Sequence, residues 1–176
     1  MSRVAILGAG GVFANHMAKH CLEAGYERVV AVGRNPRLPP CFSLNVGVDD
    51  ERYEYHQIHI VFEQNRLFQM FDEFKPDIVI NYAALAYANS WKDSDLFYNT
   101  NCLAVVKIVE HLKQSQYLKR FVQIGTSEMY GPTLTKPAKE YDIPNPTSPY
   151  AVSKLATDMH LNTLFAADGF AMNIIR

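Results

Sequence analysis

The sequence predicts a doubly wound α/β fold, a mostly parallel sheet with helices on both faces, and three observations carry that prediction. Short apolar runs alternate with longer stretches of helical period, the pattern of repeated β-α units. A glycine-rich segment, Gly8-Ala9-Gly10-Gly11, follows the first apolar run directly and opens the first helical stretch. Two proline-rich interruptions, at 35–50 and 131–149, each follow an apolar run, at the strand ends where parallel sheets carry their functional loops.

The elements read in order. The first strand is 4–7 and the helix after it spans 11–24. The second strand, 29–32, is Val-Val-Ala-Val, short and β-branched. Residues 35–50 hold three prolines and no helical period, so the usual helix between strands two and three is expected to be mostly loop. Strand three is placed at 55–60, a helix at 63–74 and strand four at 78–80. A long helix over 94–116 carries Val105, Ile108, Val109 and Leu112 at helical spacing. Strand five is 121–124, and the five prolines between 131 and 149 exclude a helix until 149–168. Strand six is 172–175. Right-handed crossovers then arrange six strands in the order 3-2-1-4-5-6, with the 176 residues forming one domain.

Bulk properties narrow the function. Seventeen Lys and Arg balance eighteen Asp and Glu, so neither a nucleic-acid footprint nor a polybasic membrane patch is expected. No apolar run reaches the roughly 18 residues of a membrane helix. Cys21, Cys41 and Cys102 form no CxxC pair, which points away from a disulfide scaffold or zinc site and toward a reducing cytoplasm. A small-molecule ligand is the expectation.

The glycine-rich turn supplies that ligand's class. Small residues let the backbone approach a pyrophosphate, and a helix N-terminus offers free N–H groups and a positive dipole end. The spacing GxxGxxA fits Gly8, Gly11 and Ala14, with Val12 and Phe13 in the same turn, whereas GxGxxG fails at Phe13. After strand two, where a carboxylate would hold an adenosine ribose, the chain reads Gly33-Arg34-Asn35-Pro36-Arg37. Arginine suits a 2′-phosphate, so Arg34 and Arg37 favour NADP over NAD; solvated turn arginines are the bland alternative.

A second constellation lies at Gly125-Thr126-Ser127-Glu128-Met129-Tyr130-Gly131, followed by Ser148-Pro149-Tyr150-Ala151-Val152-Ser153-Lys154. With GxxGxxA at the start, Asn81-Tyr82-Ala83-Ala84 after strand four and YxxxK at 150–154, the chain resembles an extended short-chain dehydrogenase/reductase of the NAD-dependent epimerase/dehydratase family. The likeness spans essentially the whole chain. It implies a Rossmann-like NAD(P) domain, a nucleotide-sugar substrate, and catalytic roles for Thr126, Glu128, Tyr150 and Lys154, the last two also touching cofactor. Ala83 and Ala84 would let the adenosine half lie against strand four. A homodimer is the assembly this resemblance leaves open.

The chemistry suits the spacing. Tyr150 and Lys154 are one helical turn apart and share a face; an ammonium beside the phenol stabilises phenolate, so Tyr150 can serve as general base on a sugar hydroxyl, with Thr126 bonded to the same oxygen. Glu128 is the finer clue. In dehydratases resembling GDP-mannose 4,6-dehydratase, Thr-Ser-Glu stands at this place and the glutamate removes the C5 proton after C4 is oxidised. Epimerases also carry Ser-Glu-x-Tyr-Gly, which leaves an epimerase of the same family, or a dinucleotide-binding module without turnover, as alternatives.

Several positions depart from the family pattern. His59 stands nearest to the aspartate that usually ends strand three and touches adenine, and Gly125 replaces the usual serine. Asn101 is expected to satisfy local backbone groups. His16 and His20 lie on the first helix without a matching carboxylate, so no metal site is expected. The chain stops at Arg176, where the family continues into a substrate-binding domain, so these residues encode no nucleotide-sugar pocket.

Overall fold

The structure, a computed structural model, describes residues 2–44, 46–86, 89–133 and 137–176. Strands β1 (Arg3–Leu7), β2 (Arg28–Gly33), β3 (Tyr53–Gln57), β4 (Ile78–Asn81), β5 (Arg120–Ile124) and β6 (Met172–Ile175) form one sheet. Their order is β3-β2-β1-β4-β5-β6, and every neighbouring pair is parallel. This is the doubly wound topology the alternation implied, a Rossmann-like fold.

Central strands must be apolar on both sides, and Val4 to Leu7 and Val29 to Val32 are all fully buried. Helices α2 (Gln64–Phe74), α4 (Ala104–Leu112) and α5 (Pro149–Asp168) pack on one face through Leu67, Phe71, Val105, Ile108 and Leu161. Helix α1 (Val12–Glu23) covers the other with Ala14, Ala18, Cys21 and Leu22. Among the described residues no helix is long and apolar enough to cross a membrane.

Two elements differ from expectation, and the first proline-rich loop follows it. Strand β3 starts earlier and stops at Gln57, because Ile58, whose N–H still bonds the Gly33 carbonyl, begins a bend held by Glu63. Ile58 and Ile60 read as strand residues because they are buried. The helix expected over 94–116 is α3 (Ser94–Tyr98), a π turn (Asn99–Leu103) and α4, ending at Leu112. The first proline-rich loop carries a 3₁₀ turn, Pro40–Phe42, in place of a helix; residue 45 there, and 134–136 in the second loop, lie outside the described residues.

The sheet's two edges differ in chemistry. Glu54 on β3 pairs with Arg28 at 2.7 Å and with His56 at 3.1 Å, whereas β6 reads Met-Asn-Ile-Ile, with Ile175 about half exposed.

Candidate active site

Order reversal between β1 and β4 opens a crevice at the strands' carboxyl ends, the usual ligand position in such sheets. A cleft of about 260 Å³ lies there, walled by the ends of β1, β2, β3 and β4. Gly8 forms its floor with φ of +87°, and a Cβ there would stand 2.6 Å from the Ala83 nitrogen; only glycine lets β1 turn this close to β4. Gly8 and Ala9 both donate to the Val32 carbonyl. At Gly10 a Cβ would meet nothing within 4 Å, so this backbone is open to a ligand.

Helix α1 begins after Gly11 with no side-chain cap, which leaves the N–H groups of Val12, Phe13 and Ala14 without intrahelical acceptors. The Val12 and Phe13 side chains point to solvent, 65% and 77% exposed, so these residues offer backbone alone. Ala14 is buried against the sheet. Asn15, which the sequence reading passed over, clamps the turn by donating to the Ala9 and Gly11 carbonyls at 3.0 and 2.8 Å. This cradle of open glycine backbone and free N–H groups fits the diphosphate of a dinucleotide.

Arg34 lines the cleft, is exposed, and its guanidinium bonds nothing among the described residues. Arg37, expected to join it, is turned away: its guanidinium lies over the Tyr53 ring at 5.1 Å and donates to the Val46 carbonyl at 2.6 Å. Arg37 is not among the residues lining the cleft, while Ala83 and Ala84 are. None of the lining residues carries a carboxylate.

The cleft does not extend to Thr126, Glu128, Tyr150 or Lys154, which gather separately at the end of β5. Thr126 Oγ1 accepts from the Glu128 N–H at 3.3 Å and caps a 3₁₀ turn, Ser127–Tyr130. The Glu128 carboxylate is exposed and without a partner among the described residues. Ser148 caps α5 by accepting from the Ala151 N–H at 3.1 Å, and Pro149 occupies its first turn. That start sets Tyr150 half-buried, its ring edge-on to Phe97 at 6.2 Å, its phenol oxygen free of protein partners among the described residues.

One turn on, the Lys154 ammonium is buried and donates to the Ile124 carbonyl at 2.5 Å. Burial pushes it down from its ordinary 10.5 to about 8, with the Asp158 carboxylate opposing. Asp158 is itself 1% exposed and its Oδ2 accepts from Arg176 Nε at 2.9 Å. Burial raises this carboxyl, against the lowering pull of Arg176 and Lys154. A Cβ at Gly125 would be tight, 3.2 Å from Asp158 Oδ2, Arg176 Cγ and the Ile175 carbonyl, so a serine there would need its neighbours to give by a few tenths of an ångström.

Asn101, in the π turn, joins the two parts. Its Oδ1 accepts from the Leu85 N–H at 2.7 Å, and its Nδ2 donates to the Leu85 carbonyl and Ser153 Oγ, both at 3.0 Å. Ser153 donates in turn to the Tyr150 carbonyl at 2.7 Å. Leu85 and Thr100 line the cleft, so one buried amide fixes the cleft wall against the helix bearing Tyr150 and Lys154.

The model of the NAD dependent epimerase/dehydratase family matches residues 4–176. A UDP-glucose 4-epimerase of Lacticaseibacillus casei is 28% identical over 174 residues, covering 98% of this chain and 50% of the relative. A dTDP-D-glucose 4,6-dehydratase of Dictyostelium discoideum is 26% identical over 173 residues, covering 90% of this chain and 39% of the relative. The solved UDP-glucose 4-epimerase of Thermus thermophilus, a complex with NAD, superposes with a TM-score of 0.85 at 24% identity, over 99% of this chain and 54% of that one. The chain spans half or less of the length of these two curated relatives.

Proposed function

We propose, since the chain belongs to the NAD dependent epimerase/dehydratase family, that it is the cofactor-binding and catalytic part of a nucleotide-sugar 4,6-dehydratase. Gly10, the first turn of α1, Arg34, Ala83 and Ala84 would hold the dinucleotide. The exposed Arg34 and the absence of any carboxylate in the cleft lining favour NADP over NAD. When bound, the nicotinamide supplies the hydride acceptor.

The chain's own residues manage the protons. Tyr150 takes the proton of the C4 hydroxyl, and Thr126 Oγ1 hydrogen-bonds the same oxygen. Lys154, charged below about pH 8, stabilises the phenolate one helical turn away. Oxidation at C4 makes the C5 proton acidic, and Glu128 removes it as the C6 hydroxyl leaves as water; the hydride taken from C4 would then return to C6 and a proton to C5, so that the net change is the loss of water. The observation that carries this reading is the Glu128 carboxylate, exposed and without a partner among the described residues, on the turn that Thr126 caps.

Similarity to the UDP-glucose 4-epimerase favours a second reading, in which the C4 ketone is reduced again without elimination. Purified protein from the natural reading frame, given GDP-, UDP- and dTDP-sugars, separates the two by product mass. A dehydratase yields product lighter by water, and Glu128→Gln still reduces cofactor while water loss stalls. An epimerase shows no mass change and tolerates Glu128→Gln. Tyr150→Phe should slow the first step in either case by about 10²–10⁴-fold. Cofactor binding with no turnover on any sugar would leave a binding module and refute both.

A further inference from the structure

The far end of the cleft, beyond the phosphate cradle and Gly33–Arg34, is formed by Ile58, His59 and Ile60 at the end of β3. The ribose belongs near the end of β2, so in a dinucleotide bound along this cleft the purine reaches the β3 end. Ile58 and Ile60 are 2% and 7% exposed and offer that purine apolar contact. The polar side chain beside them is His59.

One nitrogen of the His59 ring is engaged by the backbone. Its Nδ1 accepts from the Val61 N–H at 3.2 Å, so the neutral ring carries its proton on Nε2. Nε2 has no partner among the described residues. Phe62 lies against the ring at 4.6 Å, and the His59 N–H donates to Glu63 Oε2 at 2.8 Å. Glu63, the nearest carboxylate in the chain, is spent on that N–H and on Arg66, and both hold its carboxyl below the usual range.

Resting on the dinucleotide reading above, we infer that His59 meets the cofactor's purine with a hydrogen-bond donor, so that this cleft accepts a 6-oxopurine dinucleotide as well as a 6-aminopurine one. Adenine offers a donor at its 6-amino group and acceptors at N1 and N7; hypoxanthine replaces the 6-amino donor with a 6-oxo acceptor, turns N1 into a donor and keeps the N7 acceptor. An Nε2–H donor therefore finds an acceptor on either base. A carboxylate at this position would accept from the 6-amino group and be set against the 6-oxo group, and a site built for one such bond rejects the analogue that lacks it.

The test is calorimetric titration of the 176-residue chain and its His59→Asp and His59→Gln variants with NADP and with nicotinamide hypoxanthine dinucleotide phosphate. The ratio of the two dissociation constants within each variant cancels general losses of affinity. The expected ratio is within about threefold for the wild type and for His59→Gln, which keeps a donor, and about tenfold or more against hypoxanthine for His59→Asp. A wild-type preference for adenine of tenfold or more, or a ratio unmoved by His59→Asp, overturns the inference and leaves the dinucleotide site standing. If neither dinucleotide binds a chain that circular dichroism shows folded, the dinucleotide reading itself falls, and the inference with it.

Discussion

Replacing Lys154 with methionine should stabilise the protein at neutral pH while removing its proposed chemistry. Lys154 is 3% exposed and burial lowers its ammonium from 10.5 to about 8, so at pH 7 the folded state holds a charge that water would hold better. At 1.36 kcal/mol per pH unit, that difference is about 3 kcal/mol. The sign follows from proton counting. Between about pH 8 and 10.5 the unfolded chain keeps the lysine proton and the folded chain has lost it, so wild-type stability gains from rising pH. The penalty is full below about pH 8. By pH 10 about 2.5 kcal/mol of it is gone.

Methionine also removes the Lys154 donor from the Ile124 carbonyl, which keeps Gln123 Nε2 at 3.2 Å, a loss of about 1–2 kcal/mol at all pH values. The net gain at pH 7 is therefore small, and the informative quantity is its change with pH. Thermal unfolding of wild type and Lys154→Met at pH 7 and pH 10 should show the variant's relative Tm falling by about 5–10 °C between the two. A difference independent of pH would mean that Lys154 is not held as a buried cation, and the account of Tyr150 activation would lose its basis.

Other substitutions test other parts of the site. Arg34→Ala should weaken NADP binding about fivefold, the value of one exposed charge-assisted pair, and leave NAD binding unchanged; parallel losses for both cofactors in a titration would reject the 2′-phosphate role. Gly8→Ala forces a side chain into a left-handed conformation and against the Ala83 nitrogen at 2.6 Å, so Tm should drop by at least about 5 °C. Asn101→Ala strips partners from the Leu85 N–H, the Leu85 carbonyl and Ser153 Oγ, a loss of about 2–4 kcal/mol in denaturant unfolding; a change under about 1 kcal/mol would show that water replaces the amide without cost.

The sheet order was legible because β-α alternation and crossover handedness leave few topologies. The glycine turn between β1 and α1 was legible because its demands fall on neighbouring residues, Gly8 through Ala14. What escaped depends on distant partners. Arg37 resembles Arg34 in sequence, and only the fold brings the Tyr53 ring and Val46 carbonyl that draw it away. Ile58 and Ile60 have strand chemistry yet leave the sheet to wall the cleft. The π turn interrupts a good helical period where Asn101 reaches Leu85 and Ser153, 16 and 52 residues away. Asn81 and Gln123 likewise form a buried pair at 2.9 Å across β4 and β5 that no local pattern announces.

The unlike edges of the sheet bear on how the chain behaves in concentrated solution. An edge strand is a template for another strand, and charged side chains are a common deterrent. On β3 the Glu54 carboxylate, paired with Arg28 and His56, would have to be desolvated by any newcomer. Strand β6 sets no such barrier, since Met172, Asn173, Ile174 and Ile175 carry no charge. A strand laid beside β6, from a second copy or from the same polypeptide, therefore meets no charge to desolvate; such pairing should strengthen with kosmotropic salt as apolar contacts do and yield to a lysine placed at Ile175, whose side chain is already half in water.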